Sequence, residues 1–167
     1  MIALLVRFPE IATIASHPAP GSIVLSFIVS RRLDRATREA LRNDVVEHVK
    51  TLLAASGEQP QRLTVTCELD DHLTFVRVAR DADGLTREEL TLLTTLLATR
   101  FGDALVKSPV AEEPLDEDPA AEDEIVERAL EALRDPALQR SVVGIREEKR
   151  VLVYFMKVRK KAKAAAR

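Results

Sequence analysis

Cysteine is nearly absent. Cys67 is the only one among 167 residues, so no disulfide can close within the chain and a stapled secreted scaffold is excluded. Tryptophan is missing and aromatics make up 4% of the chain, which leaves little with which to stack on bases. Three histidines and one cysteine fall short of the common zinc sites unless carboxylates complete the ligand set. The five glycines form no phosphate-cradling loop, and CxxC, HExxH and nucleophile-elbow patterns do not occur. The sequence therefore predicts no metal, no cofactor and no enzyme.

Long hydrophobic runs are lacking too. Residues 11–30 carry no charge, but Pro18, Pro20 and Gly21 break the stretch in its middle, so it reads as two strands and a turn. The first residues have neither a basic n-region nor a cleavage-like site, and the expected location is cytoplasmic, away from membranes. An excess of one charge is also missing. The net charge of −2 gives no whole-molecule attraction to nucleic acid or to anionic lipid.

What is present is a globular composition, with 46% hydrophobic and 31% charged residues in about one domain's length. Residues 22–30 (SIVLSFIVS) form the clearest strand, preceded by a shorter one at 10–16, and residues 3–6 read as extended chain. A helix is predicted over 35–56, with Asp34 as N-cap and Gly57 as C′ stop. Its apolar arc is Leu41, Val45, Val49 and Leu52, bordered by Val46 and Leu53. Alternation then marks strands at 63–69 and 73–80. A turn at Asp70-Asp71 would pair Cys67 with Thr74, Val65 with Val76 and Leu63 with Val78. Thr86-Arg-Glu-Glu89 is a capping box with Leu85 and Leu90 as its staple, opening a helix that Gly102 ends. A short last strand fits 104–107.

Strand, helix, strand, strand, helix, strand is the split βαβ order of a ferredoxin-like α+β fold, an antiparallel sheet with two helices on one face. It organises the chain as an α+β sandwich domain over 1–107. An acidic, proline-containing linker follows at 108–121, then a C-terminal helix plus β-hairpin at 122–156, and a basic tail at 157–167. Helix and hairpin are too small a core to stand alone and are expected to dock on the first domain or on a second subunit. The unbroken apolar run 151–156 predicts a strand covered on both faces.

Charge is segregated along the chain. Residues 108–135 hold eleven acids and two arginines, whereas residues 136–167 hold ten Lys or Arg and two glutamates. Within the first domain Arg31, Arg35, Arg38 and Arg42 recur at helical spacing, and the last three continue the arc of Val45 and Val49. Either this stripe takes an anion or the helix start overhangs the sheet and the arginines reach water. The tail adds Lys157, Arg159, Lys160, Lys161 and Lys163 as further anion-binding candidates. His72 beside Asp70 and Asp71 has the composition of a base or metal cluster, but such residues also collect in ordinary turns. Cys67 belongs to an apolar strand face and reads as a core residue.

The expected function is a non-catalytic binding or regulatory module working through protein–protein contacts or as a homo-oligomer. Its interaction surface would be the sheet face away from the helices, carrying Leu73 and Phe75, covered by the C-terminal helix and hairpin or by a second subunit. The alternative is a nucleic-acid-associated protein that holds phosphates through the arginine stripe and the basic tail.

Overall fold

The computed structural model describes residues 1–17, 21–107, 119–135, 141–147 and 150–156. Among the described residues the chain is α+β, with one six-stranded antiparallel sheet and four α-helices. The elements run α1 (Ile2–Arg7), β1 (Thr13–His17), β2 (Ser22–Val29), α2 (Arg35–Ala55), β3 (Leu63–Asp70), β4 (Leu73–Asp81), α3 (Arg87–Phe101), α4 (Pro119–Arg134), β5 (Ser141–Glu147) and β6 (Arg150–Met156). The spatial order is β3-β4-β2-β1-β5-β6. Three hairpins thus lie side by side, with the first in sequence at the centre.

Alternation in the strands divides the sheet into two unlike faces. Ile14, Ile23, Leu25, Phe27, Val29, Val65, Val76 and Val78 point to one side and are buried. Leu41, Val45, Val49 and Leu53 of α2, with Leu90, Leu93 and Leu97 of α3, close over them in one core. Val126, Leu130 and Leu133 of α4 join the same core, as do Leu4 and Leu5 of α1. All four helices therefore cover a single face. The open-face neighbours Val24, Ile28, Phe75 and Val143 are only half-buried.

The helix signals have direct structural counterparts. Asp34 Oδ1 accepts from the Thr37 amide at 2.7 Å, and this bond holds its carboxyl below the usual range. At the other end Gly57 takes φ +72°, and the amides of Gly57 and Glu58 reach back to the carbonyls of Ala54 and Leu53. The buried residue of the last turn is Leu53, with Leu52 half-buried.

Several expectations are corrected. Residues 3–6 are helical rather than extended, because Leu4 and Leu5 seat α1 on the sheet where Gly144 leaves room. The β3–β4 loop is Asp71-His72, not Asp70-Asp71, so Cys67 pairs with Val76 and Leu69 with Thr74. Asp71 supplies the positive φ of 51° that a two-residue loop needs. Pairing slips by two residues, which leaves every side chain on its expected face. The strand at 104–107 shrinks to one bridge between Leu105 and Val29, since Gly102–Ala104 form a 3-10 turn and β1 occupies the rest of that β2 edge. The run 151–156 is an edge strand whose Tyr154 and Phe155 are exposed. Among the described residues no helix is long and apolar enough to cross a membrane.

Candidate functional site

The face without helices is the most conspicuous surface of the fold. At its middle, β1, β2, β4 and β5 form a shallow concavity of about 390 Å³. Its floor is Val24, Ile28, Ala15, Val143 and Phe75, and its polar rim is Thr13, Ser26, His17 and Arg77. The sequence-predicted pair Leu73 and Phe75 both belong to this face, and Phe75 lies opposite Ile28 across the β2–β4 ladder. Arg77 is engaged by Glu68 of β3, so the rim carries one internally matched ion pair.

The C-terminal helix does not lie on this face. Val126, Leu130 and Leu133 bury α4 among the other helices, Asp123 pairs with Arg87, and Arg134 Nη2 donates to the Leu85 carbonyl at 2.7 Å. The hairpin widens the sheet instead, with β5 paired to β1. The expectation that this unit covers Leu73 and Phe75 is thereby overturned. Its apolar residues have the helix face to bury against, and α4 goes there.

The three histidines lie on three separate elements, β1, α2 and the β3–β4 loop. His17 Nδ1 lies 3.3 Å from Ser141 Oγ on the concavity rim, a long contact, and among the described residues no third group is hydrogen-bonded to the ring. His48 Nδ1 is 2.7 Å from the Asp44 carbonyl oxygen, within its own helix. His72 pairs with Asp71 at 2.9 Å on the exposed hairpin tip. Among the described residues no three His, Cys, Asp or Glu side chains are grouped to hold a metal ion.

The arginine stripe is divided. Arg31 sits over the Phe101 ring at 5.5 Å from its centroid, where Thr74 fixes the chain by accepting from the Leu33 amide and donating to the Arg31 carbonyl. Arg35 pairs with Glu39 at 2.8 Å. Arg38 and Arg42 act on Cys67: burial pushes its thiol upward, and the two guanidinium charges pull it partly back. Lys157, Arg159, Lys160, Lys161 and Lys163 lie outside the described residues.

Sequence reasoning missed a buried charge cluster at the far end of β4. Arg80 and Glu89 are both sealed from solvent. The guanidinium binds the carboxylate two-pronged, at 2.6 Å and 3.0 Å, and donates to Asp81 and to the carbonyls of Arg62 and Gly84. All five N–H groups are thereby used. Glu89 still takes part in the cap, its amide donating to Thr86 Oγ1 at 3.2 Å, but its carboxylate goes to Arg80 rather than back to the cap. The alternation Val76, Val78, Arg80 already placed Arg80 inward and was the signal available. With all five guanidinium N–H groups and both Glu89 oxygens engaged, the cluster ties the 82–86 loop to β4. Comparison with protein-family models, with curated proteins and with solved structures returns no match.

Proposed function

We propose that this chain is a non-catalytic, cytoplasmic binding or regulatory module that acts through protein–protein contacts, with the open face of its sheet as the working surface. The observation that supports it is the one-sided placement of all four helices, which leaves an apolar floor of Val24, Ile28, Phe75 and Val143 facing solvent. Soluble chains rarely leave such a continuous apolar surface without a use for it. A lone cysteine without a disulfide partner fits the cytoplasmic placement.

We read β2, α2, β3, β4 and α3 as a ferredoxin-like split βαβ core. The antiparallel order β3-β4-β2 supports this, with the single bridge at Leu105 as a remnant of the fourth strand and β1 in its place. Such a core serves many activities and names none. The arginines give no matching support for phosphate binding, because Arg31 and Arg35 are committed elsewhere.

The test pairs wild type with Phe75→Arg, a change on the solvent side of β4 that leaves the core intact. Both proteins serve as baits at matched loading and matched melting temperature. A protein retained by wild type and lost from the variant supports the reading; equal retention by both baits overturns it.

A further inference from the structure

We propose that β6 is the seam of a homodimer, in which two copies join edge to edge through antiparallel β6 strands. A sheet edge is a row of unpaired backbone donors and acceptors, and proteins that stay monomeric blunt it with charge, proline or bulges. The two edges of this sheet are treated differently. β3 at one end exposes Thr64, Thr66, Glu68 and Asp70. β6 at the other end has no charge, proline or glycine from Val151 to Met156, and its Tyr154 and Phe155 are 50% and 65% exposed.

Symmetry selects the occupant. A head-to-tail contact of β6 on a neighbour's β3 would set Glu68 and Asp70 beside apolar chain, and it would leave a free edge for another copy, so it would grow into a filament. A two-fold contact of β6 on β6 uses one surface twice and closes. It leaves only the two charged β3 edges outward. Centred on Val153, this contact sets Val151 against Phe155 and Leu152 against Tyr154, with Arg150 beside Met156 at each end, so its middle is apolar on both strands.

Leu152 pairs with Ile145 and Tyr154 with Val143, so these two stand on the open-face side of the sheet; Phe155 pairs with buried Val142 and stands on the helix side. The joint would therefore make one continuous open face from two copies. A seven-residue seam is small beside the ~1,200 Å² of a stable interface. The expected dimer is accordingly weak and depends on concentration.

Sedimentation velocity over a concentration series tests this. Wild type is expected to move from one to two chain masses, while Tyr154→Lys with Phe155→Lys stays at one mass with unchanged circular dichroism. Phe75→Arg is expected to dimerise as wild type does, which separates this seam from the binding role of the open face. A wild type that stays at one mass throughout, or a double-lysine variant that dimerises equally well, overturns the proposal. Hydrogen exchange on wild type alone gives a second reading, independent of how the variant folds. Amides of 150–156 should gain protection as concentration rises, and protection that does not change with concentration counts against the seam.

Discussion

Arg80 and Glu89 face each other in the interior with two parallel hydrogen bonds, Nε to Oε1 at 2.6 Å and Nη2 to Oε2 at 3.0 Å, and neither side chain reaches solvent. Burial pushes the Glu89 carboxyl upward while Arg80 pulls against it. Such a pair offsets its own desolvation at best, but either half left alone is a stranded charge or donor.

Glu89→Ala should therefore cost about 3–5 kcal/mol in urea unfolding, the penalty of stranding Arg80. Thr86→Ala removes only the cap and should cost ~1 kcal/mol. Equal losses from the two variants would mean that Glu89 serves the helix start rather than the buried pair.

Helices announced themselves because their signals are local. Asp34, Gly57 and the Thr86 cap act within four residues of sequence, and each stands where the sequence placed it. The strands were legible by face but not by register, since alternation fixes only parity and the choice between Asp70-Asp71 and Asp71-His72 rests on one φ angle. What long-range packing decides was not legible. Helix α1 is held by packing on α4, β5 and β6, with Met1 and Leu5 over the bare position at Gly144, 139 residues after Leu5. Of the two covers expected for the open face, the C-terminal unit goes elsewhere, because amphipathicity shows that α4 must dock and not on which side.

Gly144 yields a second prediction. A Cβ there would lie 2.7 Å from Met1 Sδ and 2.9 Å from Leu5 Cδ1, closer than carbon tolerates. The atoms met are the ends of flexible side chains, so Gly144→Val should displace Met1 and Leu5 and loosen α1 at about 1 kcal/mol, the low end of overpacking. Faster hydrogen exchange confined to residues 2–8 and β5 would show the displacement; unchanged exchange there would mean that α1 does not depend on the bare position.

Asp34 gives a pH test with a definite sign. Its folded carboxyl lies below the ordinary 3.8, so the cap stabilises above that value and the contribution is lost as pH falls through the folded one. Asp34→Asn keeps a cap without a charge to titrate. Wild-type stability should drop more steeply than the variant's below pH 3.8, with the two curves running parallel in neutral solution. Parallel curves throughout the acid range would show that Asp34 does not titrate with folding.

Cys67 faces the core side of β3 with its thiol pushed above 9.0 by burial. Thiolate is the reactive form, so native protein at neutral pH should label far more slowly than unfolded protein. Arg38 and Arg42 hold the value down, and Arg38→Ala with Arg42→Ala should slow labelling further and move its pH midpoint up. Faster labelling of that variant would show that the arginines shield the thiol sterically rather than acting through charge.

The same two arginines bear on polyanions. Arg31 lies on Phe101 and Arg35 on Glu39, which leaves Arg38 and Arg42, the two whose charge reaches Cys67. Two phosphate contacts give a salt slope of only about −1.8 on duplex DNA, too little to hold it near physiological salt. The tail is the denser source of charge, with Lys157, Arg159, Lys160, Lys161 and Lys163 in seven residues. Anisotropy of labelled duplex DNA at low salt should accordingly show binding that survives replacing Arg35, Arg38 and Arg42 by alanine and vanishes when residues 157–167 are removed. The acidic stretch holding Glu112, Glu113, Asp116, Glu117 and Asp118 is the competing polyanion within the chain. Neutralising those five should tighten binding in proportion to how often they occupy the tail, and added salt should erase the difference by screening both contacts. If the arginine replacement abolishes binding and the truncation does not, the stripe is the anion site after all, and Arg31 and Arg35 must leave Phe101 and Glu39 to form it.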